Sequence, residues 1–143
     1  YIIHNLKITD PVIAETFKDR KQLHVNQGYT RCNLLALDGN RFITSDRGIE
    51  KVLLQKGKTV FYVDPAPVRL HGQKHGFFPG CCGILDSEVL IAGNLKFHPQ
   101  GEEIRSFIQS AGYYVQELHN GPLTDVGGII FFTSSPGSGS QDL

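Results

Sequence analysis

The feature of this sequence that most constrains its fold is a pattern of apolar runs and turn residues that occurs twice, about fifty residues apart. In each copy, two short apolar runs flank a turn, as in a β-hairpin. The turns are Asp38-Gly39-Asn40 and Asp86-Ser87. The runs are Cys32–Ala36 and Arg41–Thr44 in the first copy, and Cys82–Leu85 and Glu88–Ala92 in the second.

A helix and a further strand are predicted after the first hairpin. Asp46 can cap a helix over 47–56, in which Ile49, Val52 and Leu53 form one apolar stripe. Gly57 suits the left-handed residue that ends a helix. The run Thr59–Val63 then predicts a buried strand.

The second copy continues in the same way. Pro99 suits the first position of a helix over 100–111, and Gly112 suits its end. The apolar residues of this helix recur at helical spacing, and Tyr113–Leu118 predicts the next strand. We therefore predict an α/β fold with two β-β-α-β repeat units, at about 24–63 and 75–118.

The two ends of the chain resemble partial units. Tyr1–Ile8 predicts a closing strand, and a helix over 11–21 should follow, capped by Asp10 with Pro11 at its start. Val12, Ile13 and Phe17 are expected on the buried side of that helix. Gly128–Thr133 predicts the first strand of an unfinished unit. The domain is thus expected to span 1–133, with 134–143 as a flexible linker.

About two and a half units leave open sheet edges, which are prone to aggregation. Tyr1 is the first residue and the sequence contains no Met, so we expect the natural start to lie upstream. Two alternatives would close the edges. They are further repeats before Tyr1, or a second copy of this chain in a homo-oligomer.

Composition excludes several classes of partner. Lys+Arg and Asp+Glu number 14 each, and a formal net charge of zero argues against nucleic-acid binding. No apolar run approaches the roughly 20 residues of a membrane span. The cysteines Cys32, Cys81 and Cys82 are odd in number and include an adjacent pair, which favours free thiols over a disulfide framework. Free thiols in turn favour a cytoplasmic location.

Three stretches carry a family resemblance: His24–Lys51, the step Val63-Asp64-Pro65, and Leu123–Phe131. Together they resemble an uncharacterised bacterial family of the pentein fold, the fold of guanidino-group-modifying enzymes. The similarity runs over most of 1–133. It implies a fragment of an α/β propeller, since penteins have five pseudo-repeats around an axis and this chain would hold roughly half of them.

The resemblance also implies a set of site residues. Active penteins use a Cys nucleophile, a His base and carboxylates that hold the guanidinium by paired hydrogen bonds. The corresponding candidates are Cys82, His98 and Asp125. Because the nucleophile of active members lies near the C-terminus and no Cys follows Asp125, the sequence argues against a working hydrolase or amidinotransferase.

Asp46 and Arg31 are candidate ligand-binding residues. Asp46 occupies the place after the first hairpin, where helix capping also explains it, and Arg31 could bind an anionic group. His71, His75, Cys81 and Cys82 form an H-x3-H-x5-C-C string that contains zinc-ligand residue types. Gly72, Gly76 and Pro79 oppose the helix that this spacing needs, so we predict no metal and no cofactor.

The sequence thus leads to one preferred function and two alternatives. We expect a pentein-fold protein that binds a small guanidino or amino-acid-like ligand. The first alternative is a non-catalytic interaction or assembly module, and the second is a metal-dependent protein that uses the His/Cys loop.

Overall fold

The computed structural model describes residues 1–132 and has a mixed α/β architecture, as predicted. The linker predicted at 134–143 lies outside the described residues. The strands are Ile2–His4 (β1), Gln22–His24 (β2), Leu34–Ala36 (β3), Arg41–Thr44 (β4), Thr59–Tyr62 (β5), Cys82–Leu85 (β6), Glu88–Ile91 (β7) and Tyr114–Glu117 (β8). The α-helices are Pro11–Thr16 (α1), Thr30–Asn33 (α2), Arg47–Gln55 (α3) and Gly101–Ser110 (α4).

Two three-stranded sheets dominate the described chain, in the orders β3-β4-β5 and β6-β7-β8. In each sheet the first pair is antiparallel and the second is parallel. A parallel pair needs a crossover connection, and α3 and α4 supply it. Ile43 lies opposite Leu35 and Phe61 in one sheet, and Val89 lies opposite Ile84 and Val115 in the other.

The helices α3 and α4 pack their apolar faces against these sheets. Ile49 and Leu53 of α3 and Ile104 and Ile108 of α4 are fully buried. Each such burial contributes about 1.5–3 kcal/mol to stability. Gly57 and Gly112 end the two helices with positive φ angles, as the sequence predicts. One large apolar cluster draws residues from both sheets and joins them into a common core.

The approach to the first sheet differs from the prediction. We expected a strand from Cys32, but residues 30–33 form the single helical turn α2, and β3 begins only at Leu34. Side chains stabilise this turn, because the Cys32 thiol donates to the Tyr29 carbonyl and the Thr44 hydroxyl donates to the Asn33 carbonyl. A 3-10 turn, Phe78–Cys81, precedes β6 in a similar way and contacts α2.

The N-terminal part also corrects the prediction. The strand ends at His4 rather than Ile8, and it pairs in parallel with β2, which the sequence pattern did not reveal. The helix α1 ends at Thr16 rather than at residue 21. The chain continues as turns, in which the N–H groups of Lys18 and Arg20 donate to carbonyls three residues earlier. None of its residues is buried, and Val12 is 72% exposed.

Two further element boundaries differ from those that the sequence predicts. The second crossover helix begins at Gly101, so Pro99 lies before its cap Gln100 and not at its first position. Residues 128–132 form no strand, although the Ile129 N–H donates to the Cys82 carbonyl at 2.9 Å and keeps this segment beside β6. Within residues 1–132, no helix combines the length and apolar character needed to cross a membrane.

Candidate functional site

The carboxylate of Asp125 lies against the segment that precedes β6. A parallel bridge pairs Arg69 with Thr124, and the Asp125 N–H donates to the Arg69 carbonyl at 2.8 Å. The residue is only 7% exposed. Its Oδ2 accepts the Phe77 N–H and its Oδ1 accepts the Gly127 N–H, each at 2.9 Å. Each oxygen therefore still has acceptor capacity for another donor.

Two glycines allow this carboxylate to sit against the backbone. A Cβ on Gly80 would overlap Oδ1 of Asp125, and it would lie 2.7 Å from Oδ2. A Cβ on Gly76 would lie 3.1 Å from Oδ2 and 3.0 Å from the Arg69 carbonyl oxygen. Because Gly76 and Gly80 have no side chains, the Asp125 carboxylate can lie against the backbone at these two positions.

A cavity of about 510 Å³ opens beside Asp125. Its other lining residues are Gln27, Tyr29, Cys32, Asn33, Leu70, Phe77, Val126 and Gly127. The ion pairs in residues 1–132 are Lys18–Glu15, Arg41–Asp38, Arg47–Glu50 and Arg105–Glu117, and none includes Asp125. A buried carboxylate without a cationic partner is unusual, because buried charges are normally paired.

The three cysteines surround this carboxylate but are poor nucleophiles. Burial is the largest cause that raises the pKa of Cys32, Cys81 and Cys82, and the charge of Asp125 raises each of them further. Cys81 and Cys82 are fully buried. The thiolate is the reactive form of cysteine, so this environment keeps all three thiols in the less reactive state.

His98 lies in a different cavity, of about 380 Å³, and its hydrogen bonds account for both ring nitrogens. Nε2 donates to the Asp64 carbonyl at 2.9 Å, and Nδ1 accepts the Gln100 N–H at 3.1 Å. These partners assign the tautomer, since a carbonyl only accepts and an amide N–H only donates. Within residues 1–132, His98 forms no hydrogen bond to Asp125 or to a cysteine.

Gln100 extends this network. Its Oε1 accepts the Asp64 N–H at 2.8 Å, and its Nε2 donates to the Tyr62 carbonyl at 3.1 Å. Residues at the start of α4 thus hold the end of β5, which belongs to the other sheet. Arg47 also lines this cavity, and its guanidinium carbon lies 3.3 Å from the centroid of the Tyr62 ring.

Arg31 and Asp46 bind neighbouring backbone. The Arg31 Nη2 donates to the Ile129 carbonyl at 2.9 Å, and its guanidinium packs on Gly128. Asp46 caps α3, because its Oδ1 accepts the N–H groups of Gly48 and Ile49. Their ligand-binding roles, like the catalytic roles of His98, Cys82 and Asp125, stay predictions.

The structure therefore places Asp125 near the cysteines, whereas His98 lines a different cavity and Asp46 caps α3. Sequence reasoning missed Asn33, Tyr29 and Phe77 as residues of the Asp125 cavity. A glycine within an apolar stretch indicates that another group packs closely against the backbone there. Gly80 is therefore the sequence signal that could have indicated the cavity beside Asp125. The string from His71 to Cys82 yields no group of three or more metal-ligating side chains within residues 1–132.

The fold is similar to that of agmatine deiminase from C. jejuni. One solved structure of that enzyme matches with a TM-score of 0.56 and 13% identity over 80% of this chain and 44% of the enzyme chain. A Cys-to-Ser variant of it with substrate bound matches with a TM-score of 0.56 and 14% identity over 80% of this chain and 43% of the variant chain. The chain thus spans less than half the length of these penteins, and the likeness confirms a pentein-like α/β fold.

No curated protein matches this sequence. A family model does, and it extends over residues 1–130. It describes a family of unknown function, and the stretches that carried the resemblance in the sequence lie almost wholly within the matched residues. This chain belongs to that family, DUF6873.

Proposed function

We propose that this protein binds a small guanidino or amino-acid-like cation in the cavity beside Asp125. One observation carries the proposal: Asp125 is a 7% exposed carboxylate that borders a cavity and has no ion-pair partner within residues 1–132. A bound cation would supply the missing charge. Within residues 1–132, the hydrogen-bond donors to the carboxylate are backbone N–H groups, which leave its net charge without an ion-pair partner.

The chemistry of the cavity suits a planar organic cation. Tyr29 and Phe77 contribute aromatic rings, whose faces attract cations. A guanidinium can also form in-plane hydrogen bonds to carboxylate oxygens that retain free lone pairs. Among residues 1–132, no Lys or Arg lines the cavity, so no positive side chain of this lining would repel such a ligand.

Binding, rather than turnover, is the function that this part of the protein supports. The thiols of Cys32, Cys81 and Cys82 have raised pKa values, which disfavours attack on a guanidinium carbon. His98 has both ring nitrogens occupied and lines another cavity. We propose that this chain supplies the cation-binding part of a propeller, completed by further repeats or by a second copy.

Calorimetric titration of the purified protein with agmatine, arginine and methylguanidine tests the proposal. We expect saturable binding, and a loss of at least about tenfold in affinity for the Asp125→Asn variant, because the ligand loses its counter-charge. Asp86→Asn is the matched control, since Asp86 is exposed and Asn tolerates its φ of 51°. Equal binding by Asp125→Asn and the wild type would contradict the proposal.

A specific observation favours a second candidate, a protein-assembly module. The helix α1 has no buried residue. Val12 and Ile13 of this helix and Phe17, which follows it, expose apolar side chains. Ile130 and Phe132 are also exposed, at the other end of the described chain. Sedimentation of the wild type and of a Val12→Glu variant tests this candidate, which requires association that the charge weakens.

A further inference from the structure

Asn33 is the most poorly satisfied buried polar side chain in the described chain. It is 1% exposed, and its Oδ1 is the buried side-chain atom that has no hydrogen-bond partner within residues 1–132. Its Nδ2 lies 3.5 Å from the Tyr29 carbonyl oxygen, which is the outer limit of a hydrogen bond. Buried amides normally have partners, so an unsatisfied one needs an explanation.

The backbone of Asn33, in contrast, is held firmly. The residue ends the turn α2, and its carbonyl accepts the Thr44 hydroxyl at 2.6 Å. The side chain therefore has a fixed base but weak contacts at its tip. A weakly held amide can rotate about its Cα–Cβ and Cβ–Cγ bonds at little cost in hydrogen bonding.

Asn33 borders the same cavity as Asp125. Two residues that line this cavity thus have acceptors with spare capacity. Asp125 has a charged carboxylate, and Asn33 has a neutral amide oxygen without a donor within residues 1–132. An alkylammonium is a compact charge that a single carboxylate can satisfy together with solvent. A guanidinium presents five N–H donors in one plane and can bond to two separate acceptors at once.

We infer that Asn33 is a specificity-determining residue, whose Oδ1 accepts an N–H of a bound guanidinium while Asp125 holds its charge. This inference rests on the proposed cation binding beside Asp125. It narrows the ligand class to guanidino compounds over simple amines. Asn33 contributes selectivity rather than charge, so its loss leaves cation binding in place.

A comparison of the affinities for two cations of equal charge tests the inference. Propylguanidine and butylamine are titrated into the wild type, Asn33→Leu and Asp125→Asn by calorimetry. We expect the wild type to bind the guanidine about tenfold more tightly, as one added charge-assisted hydrogen bond predicts. Asn33→Leu, which keeps the branched shape of Asn but has no acceptor, should lose this preference, because the guanidine loses more affinity than the amine.

A second readout separates this role from a structural one. Removal of an unsatisfied buried amide should leave the melting temperature of the ligand-free Asn33→Leu variant at or above that of the wild type. Asn33→Asp restores an acceptor and should restore the guanidine preference. If Asn33→Leu does not fold, Asn33→Ala replaces it in the same comparison, because it introduces no extra volume.

Three results would overturn the inference. If the guanidine preference survives in Asn33→Leu or Asn33→Ala, Oδ1 of Asn33 does not contact the ligand, and a buried water would then be its hydrogen-bond partner. If the wild type binds the two cations with equal affinity, it has no selectivity for guanidines. The inference about Asn33 then fails, whereas the proposed cation binding does not. If the wild type binds neither cation, the proposed function fails, and the inference fails with it.

Discussion

His98 and Asp125 are both buried polar residues, but they differ in how completely the protein satisfies them. Both ring nitrogens of His98 have backbone partners, and its neighbour Gln100 bonds across to the other sheet. Asp125 accepts two backbone N–H groups and has no ion-pair partner within residues 1–132. The difference indicates that His98 connects the two sheets, whereas the unpaired carboxylate of Asp125 fits the proposed cation site.

Replacement of His98 should have the largest effect on stability. His98→Ala removes two buried hydrogen bonds and leaves a void at the contact between β5 and α4, so we expect a loss of about 2–4 kcal/mol. Urea denaturation measures the change. In the fraction that stays folded, cation affinity should be unchanged, whereas a catalytic or binding role for His98 would require it to fall.

Replacement of Gly80 should disturb Asp125 directly. The new Cβ of Gly80→Ala would overlap Oδ1 of the carboxylate, and overpacking of this kind costs about 1–3 kcal/mol. We expect cation binding to weaken together with stability, as measured by calorimetry and denaturation. Gly39→Ala is the control, because a Cβ there meets no atom within 4 Å. Unchanged binding by Gly80→Ala would show that the carboxylate position does not matter.

The buried thiols predict a loss of stability at alkaline pH. Burial raises the pKa of Cys81 and Cys82 above the ordinary value of 9.0 in the folded chain. As the pH rises through that value, the unfolded chain loses thiol protons that the folded chain keeps. The free energy of unfolding therefore falls, by about 1.4 kcal/mol per pH unit for each thiol.

Denaturation midpoints between pH 7 and pH 10 measure this slope. Below about pH 8, the thiols are protonated in both states and contribute no slope. The Cys82→Ala variant should have a shallower alkaline slope than the wild type, because one of the two buried thiols is gone. Identical slopes would assign the alkaline effect to other groups.

Asp46 should give the smallest effect. Asp46→Ala removes the cap of α3 and should cost about 1 kcal/mol, whereas Asp46→Asn keeps an acceptor and should cost less. Neither change should alter cation affinity if capping is the whole role of Asp46. A tenfold drop in affinity for either variant would place Asp46 at the ligand.

Local patterns in the sequence predicted much of the fold. The hairpin turns, the stripes of α3 and α4, and the glycines that end both helices depend on neighbouring residues, so they are readable from sequence. The failures depend on distant contacts. Residues 30–33 have an extended pattern, but the Thr44 hydroxyl and the adjacent 3-10 turn stabilise a helical turn there. The exposed face of α1 likewise cannot be read from its periodicity.

The site was less predictable for the same reason. Asp125 was singled out by its family resemblance, but Asn33, Tyr29 and Phe77 reach the cavity from distant parts of the chain. The position of Asp125 depends on Gly76 and Gly80, whose missing side chains matter only once Asp125 packs against them. The two bonds of His98 could not be foreseen either, because its partner Asp64 lies 34 residues away.

An amide chemical-shift titration of the purified protein with methylguanidine tests directly whether a cation binds beside Asp125. The amides of Phe77 and Gly127 donate to the Asp125 carboxylate, and those of Asp64 and Gln100 belong to the His98 network. We predict saturable shifts for Phe77 and Gly127, with Asp64 and Gln100 unchanged. Saturable shifts confined to Asp64 and Gln100, or no saturable shift at any of the four, would contradict cation binding beside Asp125.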